Sequence, residues 1–293
     1  MLRRTEQPHE LAQGLETLAP EVILSALVEG QIAALTALRP VLNNLAAGAV
    51  AMANSIRMGG RLYYAAAGSS GLMGMADGLE LPGTFGLSPQ QIVIALAGGA
   101  ASLTHMAGDT EDDANAAERD AANLRPQDCV IGISASGSTP YPLAFLHAAA
   151  QVGAARIALV NTPASPMLAV AQVGICLETP PEVIAGSTRL GAATAQKAAL
   201  NTMSSLMGMQ LGHVHDGMMV NLVADNIKLA DRAARIVARI AGCDLDTAHH
   251  HLTAANGAVK PAILLAKGAR NLAHATEILG IAQGHLRRAL EAL

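Results

Sequence analysis

The chain has no tryptophan, and two phenylalanines and three tyrosines are its only aromatic residues, 2% of 293. It therefore has little aromatic surface on which bases could stack. Charge is scarce as well: 14% of residues are charged, with 19 Lys and Arg against 23 Asp and Glu, for a net −4. Without a basic excess, no nucleic-acid partner is expected. Cys129, Cys176 and Cys243 lie far apart with no CxxC pair. They read as buried structural thiols rather than a disulfide or zinc framework, which fits a reducing, cytoplasmic setting. The opening MLRRTEQPHE has no apolar stretch of the signal-peptide kind. Apolar windows are broken by Gly, Asn or charge before they reach membrane length, so no membrane partner is expected.

Apolar residues are abundant, at 51%, and come mainly from Ala, Leu, Val, Ile and Met. This supports a large core and one or two domains. Up to Ile56, Ile23, Leu27, Leu35, Leu38, Leu42 and Leu45 recur at helical spacing, and Pro20 with Glu21 suits a first helical turn. After Gly59-Gly60 the period changes. Short apolar runs at 61–67, 91–96, 129–134, 156–160 and 173–177 read as strands, with helical stretches at 115–123 and 141–151 among them. Such alternation predicts an α/β fold: a parallel sheet between layers of helices, binding ligands beyond the carboxyl ends of its strands. Residues 192–211 and 220–241 read as helices, followed by shorter ones. The organisation read here is a helical segment at 1–58, a ligand-binding domain at 59–234 and a small helical domain at 235–293.

Two Ser-rich loops follow predicted strands, Gly68-Ser69-Ser70-Gly71 and Ser134-Ala135-Ser136-Gly137-Ser138-Thr139. Backbone N–H groups, hydroxyls and a following helix N-terminus suit an anion such as a phosphate. Neither loop has Walker A or GxGxxG spacing. Glu80 lies between Leu79 and Leu81, where burial would raise its pKa and favour proton donation. Glu111 lies in the acidic run Asp109–Asp113. Arg189 and Lys197, near Ser187, are further anion-binding candidates. His213 and His215 have no third ligand placed by spacing, so no metal is assigned.

These segments together resemble the N-acetylmuramic acid 6-phosphate etherases, a sugar-isomerase (SIS) domain family. The resemblance runs through Thr5-Glu6, Ala67–Gly71, Glu80 with Pro82 and Thr84–Gly86, Ala97–Gly99 and Gly108–Asp112. It continues through Ser134–Gly137 with Thr139–Tyr141, Gly186–Arg189, Thr194–Lys197, Val223-Ala224 with Asn226, Lys228 and Leu229, and Ala241–Cys243. It implies a cofactor-free carbon–oxygen lyase of amino-sugar and cell-wall recycling that takes a sugar phosphate. Elimination then hydration would yield N-acetylglucosamine 6-phosphate and D-lactate. By position, Glu80 matches the acid and Glu111 the base. Ser69, Ser70, Ser134, Ser136, Ser138, Thr139, Ser187, Arg189 and Lys197 fall to substrate binding. A homodimer and a C-terminal domain similar to a ubiquitin-associated fold are also implied.

Four positions where the family usually carries a cation hold Leu72, Ser138, Gly191 and His213 instead. A lost charge-assisted hydrogen bond removes roughly 1.5–3 kcal/mol. A lyase for a related, less anionic sugar ether, or a non-catalytic sugar-phosphate regulator, are the alternatives this pattern leaves open.

Overall fold

The protein is represented by a computed structural model that describes residues 6–224 and 226–293. Thr5, quoted above for the resemblance, lies outside the described residues. In chain order the elements are α1 (Pro20–Thr36), α2 (Leu42–Arg57), β1 (Leu62–Ala66), α3 (Gly68–Gly78), α4 (Leu81–Phe85) and β2 (Ile92–Leu96). Then come α5 (Ala114–Asp120), β3 (Cys129–Ser134), α6 (Pro140–Val152), β4 (Ala155–Val160), α7 (Pro166–Val170) and β5 (Val173–Cys176). Last are α8 (Gly191–Gln210), β6 (Val214–His215), β7 (Met218–Met219), α9 (Ile227–Ala241), α10 (Leu245–Ala254), α11 (Val259–Ala266), α12 (Leu272–Ile281) and α13 (Leu286–Glu291).

The chain divides into two compact units, one of Met1–Leu79 with Gln90–Ser204, the other of Glu80–Pro89 with Ser205–Leu293. The first holds a five-stranded parallel sheet in the order β2-β1-β3-β4-β5. Every residue of β1 and β3 is buried, as expected of central strands covered on both faces. On one face Tyr63, Ala65 and Val130 pack with Tyr141, Phe145 and Leu146 of α6 and Met167 of α7. On the other, α3 lies close against the sheet because it has glycine at two positions four apart. A Cβ on Gly74 would stand 2.9 Å from Ile133 Cδ1, and one on Gly78 2.9 Å from Ile94 Cδ1. Both glycines sit over Tyr64, whose hydroxyl donates to the buried Asp77 carboxylate at 2.7 Å. Asn201 Nδ2 (2.7 Å) and Ser204 Oγ (2.8 Å) also donate to Asp77, so a carboxylate 2% exposed has three donors.

Asp128, just before β3, holds the amino ends of the strands. It accepts from the Arg61 backbone N–H (2.8 Å), the Arg61 guanidinium (2.8 Å), the Arg125 backbone N–H (3.0 Å) and the Arg125 guanidinium (3.0 Å). Burial raises its pKa, and the bonds from the two arginines more than offset this, leaving it below the usual carboxylate value.

The second unit is helical, with a core of Ala233, Val237, Ala248, Leu252, Ile263, Leu264 and Ile278 among others. The hairpin β6–β7 turns on Asp216 (φ 46°) and Gly217 (φ 75°), the left-handed pair that an Asp-Gly hairpin turn requires. Short α4 is fixed within this unit: Asn221 Nδ2 donates to Phe85 O at 2.8 Å, and Gly86 (φ 64°) leaves no room for a Cβ beside Asn221 O.

Several expectations change. Gly68–Gly71 is the first turn of α3 rather than a loop. The helix predicted over 220–241 begins only at Ile227, where the Asn226 side chain caps the Leu229 N–H; Met218–Met219 is a strand. Its apolar residues gave no sign of that polar start. Cys129 is buried, which pushes its thiol pKa up to about 12, but Cys176 and Cys243 are only half-buried. Finally, Pro20–Arg57 spans 38 residues and contains an 18-residue window with a mean hydropathy of 1.5, long and apolar enough to cross a membrane by length and composition. The expectation that no apolar window reaches that length is therefore corrected. The segment is two α-helices separated by a 3-10 turn at Arg39–Val41, with Pro40 interrupting α-helical bonding.

Candidate active site

At the carboxyl ends of β1 and β3 the first unit has a cavity of about 270 Å³. Its wall includes Ser69, Ser70, Ser134, Ser136, Thr139 and Glu111, which the sequence picked out, and Glu6, Gly186 and Thr188, which it did not assign to the site. Ser69 and Ser70 come from the first turn of α3. Its N-cap is Ala67, which has no capping side chain, so the positive end of the helix is left to a ligand.

The second segment is tied by its own hydroxyls. Ser134 Oγ lies 2.7 Å from Thr139 Oγ1 and 3.2 Å from Ser136 Oγ. Ser134 Oγ accepts from Gly137 N–H (3.1 Å), and Ser136 Oγ accepts from the Ser138 N–H and hydroxyl (both 3.2 Å). Gly137 has φ 64°, and a Cβ there would fall 2.2 Å from Ser165 Oγ. The turn thus needs glycine, and it presents a cluster of small donors and acceptors in place of a long side chain.

Glu111 stands on a 3-10 turn, Gly108–Asp112, whose Thr110 hydroxyl donates to Ala107 O at 2.8 Å. A Cβ on Gly98 would meet Ser102 Oγ at 2.3 Å and Thr110 Cγ2 at 2.9 Å, so the turn after β2 packs directly under this one. Glu6 approaches Gly186, whose hypothetical Cβ would lie 3.1 Å from Glu6 Oε2. Glu6 belongs to an N-terminal stretch with no local motif. The resemblance quoted Thr5-Glu6 together, and that was the one signal that could have found it.

The remaining candidates lie elsewhere. Ser138 supports Ser136 through the bonds above and does not line the cavity. Ser187 closes a turn onto Ile184 O at 2.9 Å. Arg189 and Lys197 are exposed and do not line the cavity, whose wall, among the described residues, holds two carboxylates and no Lys or Arg. Glu80 belongs to the second unit, as the residue preceding α4, with Thr84 N–H bonded to its carbonyl at 3.0 Å. Its side chain is exposed, which corrects the expected burial: Leu81 turns inward, but Leu79 is 63% exposed because α3 ends at Gly78. Gly191, where a cation was expected, donates its N–H to the buried Glu182 carboxylate at 2.8 Å, and a Cβ would lie 3.1 Å from both Ala34 and that carboxylate. A long side chain there would crowd the cap of α8. His213 is half-buried in the second unit, where burial and the Lys260 ammonium lower its pKa to about 4, so it adds no positive charge near neutrality. Among the described residues, no group of three metal-binding side chains occurs.

The SIS domain family matches residues 33–161 of the chain. An N-acetylmuramic acid 6-phosphate etherase from Deinococcus radiodurans is 40% identical over 290 residues, covering 98% of this chain and 95% of its own. Another, from Geobacillus thermodenitrificans, is 38% identical over 289 residues, 98% of each chain. Among solved structures, a phosphoheptose isomerase from Francisella tularensis aligns with a TM-score of 0.52 at 17% identity, covering 66% of this chain and 100% of that one, which establishes a shared fold.

Proposed function

The chain belongs to the N-acetylmuramic acid 6-phosphate etherase family, and from that membership and the seryl cavity we propose that it cleaves the D-lactyl ether of N-acetylmuramic acid 6-phosphate as a carbon–oxygen lyase. The observation that carries this reading is the placing of Glu111 in one wall with two Ser-rich segments at the carboxyl ends of β1 and β3. The uncapped start of α3 and the hydroxyls of Ser69, Ser70, Ser134, Ser136 and Thr139 hold the phosphate. Neutral donors and helix N–H groups can bind such an anion without a Lys or Arg. Glu111, as base, takes the proton from C2 of the open-chain sugar. The C2–H electrons form the C2=C3 bond, the C3–O bond breaks, and the departing lactyl oxygen is protonated by Glu80. Water then adds its hydroxyl to C3 and a proton to C2, giving N-acetylglucosamine 6-phosphate and D-lactate. No cofactor takes part. Two carboxylates with opposite protonation demands suit such a sequence.

That no Lys or Arg stands among the described wall residues favours one second reading, a related lyase acting on a less anionic sugar ether. We also propose a cytoplasmic homodimer. In support, α1 exposes Val22, Leu24, Val28 and Ile32, each at 50% or more, a row suited to an apolar partner face. Lactate release from N-acetylmuramic acid 6-phosphate, beside Glu80→Ala and Glu111→Ala, tests the proposal. Release lost in both variants supports the assigned roles. Faster turnover of the unphosphorylated ether would favour the second reading. Sugar-phosphate binding without any release would instead point to a regulator.

A further inference from the structure

The second unit contains a larger cavity, about 620 Å³, that shares no residue with the seryl site and takes no part in the proposed reaction. Its volume falls within the range of small-molecule sites. Met218 of β7, Ile240 of α9 and Leu290 of α13 supply apolar wall, continued by Leu293. Arg239, in the last turn of α9, and Lys267, which ends α11, supply positive charge.

The wall carries two side-chain cations and one side-chain carboxylate, beside the α-carboxylate of Leu293. Its one side-chain carboxylate, Asp216, is engaged by the Arg287 guanidinium and by His215 Nε2, 3.5 Å away. Among the described residues, neither the Arg239 nor the Lys267 side chain has an ion pair or hydrogen bond. An apolar wall beside two unpaired cations suits a ligand with an aliphatic body and an anionic head. A guanidinium fork is well shaped for carboxylate or phosphate oxygens. The wall is also well fixed. The Asp-Gly turn sets β6–β7, and Arg287 ties the turn residue Asp216 to α13.

We propose that this cavity is a second binding site, for a small amphiphilic anion: a carboxylate or phosphate monoester on an aliphatic body.

The test is titration calorimetry on the full-length protein with octanoate and octyl phosphate. It is run in saturating N-acetylglucosamine 6-phosphate, so that the seryl site is occupied. Octylamine and inorganic phosphate serve as controls for charge and for the aliphatic body. The proposal expects saturable binding of octanoate, octyl phosphate or both, and the one that binds fixes the head group. It expects at least about tenfold weaker binding, about 1.4 kcal/mol, by Arg239→Gln/Lys267→Gln. Both side chains are exposed, so thermal unfolding of the double variant should match the parent. Absence of saturable binding by either anion would overturn the proposal, as would octylamine binding equally well. Undiminished affinity in the folded double variant would overturn it too. If the double variant does not fold, the comparison of octanoate with octylamine on the parent still decides.

Discussion

Replacing Asp77 by alanine should be among the most damaging single changes away from the seryl cavity. Its carboxylate accepts from Tyr64 Oη, Asn201 Nδ2 and Ser204 Oγ at 2.7–2.8 Å. Ser204 Oγ also reaches Asn201 O at 3.3 Å and can turn to it. Tyr64 and Asn201 have no such recourse. Tyr64 is 1% exposed, so its hydroxyl would be stranded in the interior. Leaving a buried donor unpaired costs about 1–3 kcal/mol, so two stranded donors should cost about 2–5 kcal/mol. For a chain of this size each kcal/mol lowers Tm by roughly 2–4 °C, so a fall of about 4–20 °C is expected. Asp77→Asn should lose less, because its amide oxygen can still accept while its NH2 faces a donor. Urea denaturation gives the free energy, with an unchanged slope as the check that only stability has moved. A cycle with Tyr64→Phe isolates the pair and should show coupling of about 1 kcal/mol or more. A loss below about 1 kcal/mol in Asp77→Ala, or strict additivity with Tyr64→Phe, would refute the reasoning.

Glu111→Gln should keep sugar-phosphate binding and lower kcat by about 10²–10⁴, the usual contribution of a positioned base; an unchanged kcat would remove it from that role. Gly137→Ala combines a left-handed φ, costing about 1–2 kcal/mol, with overlap at Ser165, and should lower Tm by roughly 5–10 °C in differential scanning calorimetry. Lys260 is buried with Gly284 O as its acceptor at 3.0 Å, and burial lowers its pKa to about 8. The unfolded chain therefore holds more protons between pH 8 and 10.5, and stability should rise with pH across that window. Lys260→Met should flatten the rise. His213, lowered from 6.5 to about 4, acts in the same sense further down. Stability should fall as pH drops from 6.5 to 4, and His213→Gln should reduce that loss in a Tm-versus-pH series.

The strands were legible because β1 and β3 are buried on both faces and so leave continuous apolar runs. Ser69, Ser134 and Thr139 could be found because they follow those runs directly. Periodicity reports which face of an element is buried but not where its backbone turns. The start of α3 at Gly68 and the irregular stretch at 220–224 were therefore missed. The burial expected of Glu80 failed for the same reason, since α3 stops at Gly78, just before its apolar neighbours, and Leu79 faces outward. Arg189 and Lys197 were chosen for their charge, and charge alone does not place a side chain in a cavity. Glu6 reaches the site through tertiary contact near Gly186, which no local pattern encodes.

Asp128 lies at the opposite end of the sheet from the seryl cavity, yet it works as the zero mark of a ruler. By gripping the backbone ahead of β1 and of β3, it fixes where both strands begin. Their length then fixes where the two seryl segments end. Sliding one strand past the other while keeping its faces would take two residues, roughly 6.6 Å of travel. A site that must hold its groups within about 0.5 Å cannot absorb that. The dimensions of the cavity are thus decided partly at the far edge of the sheet, and damage to Asp128 would first be noticed as a misaligned active site.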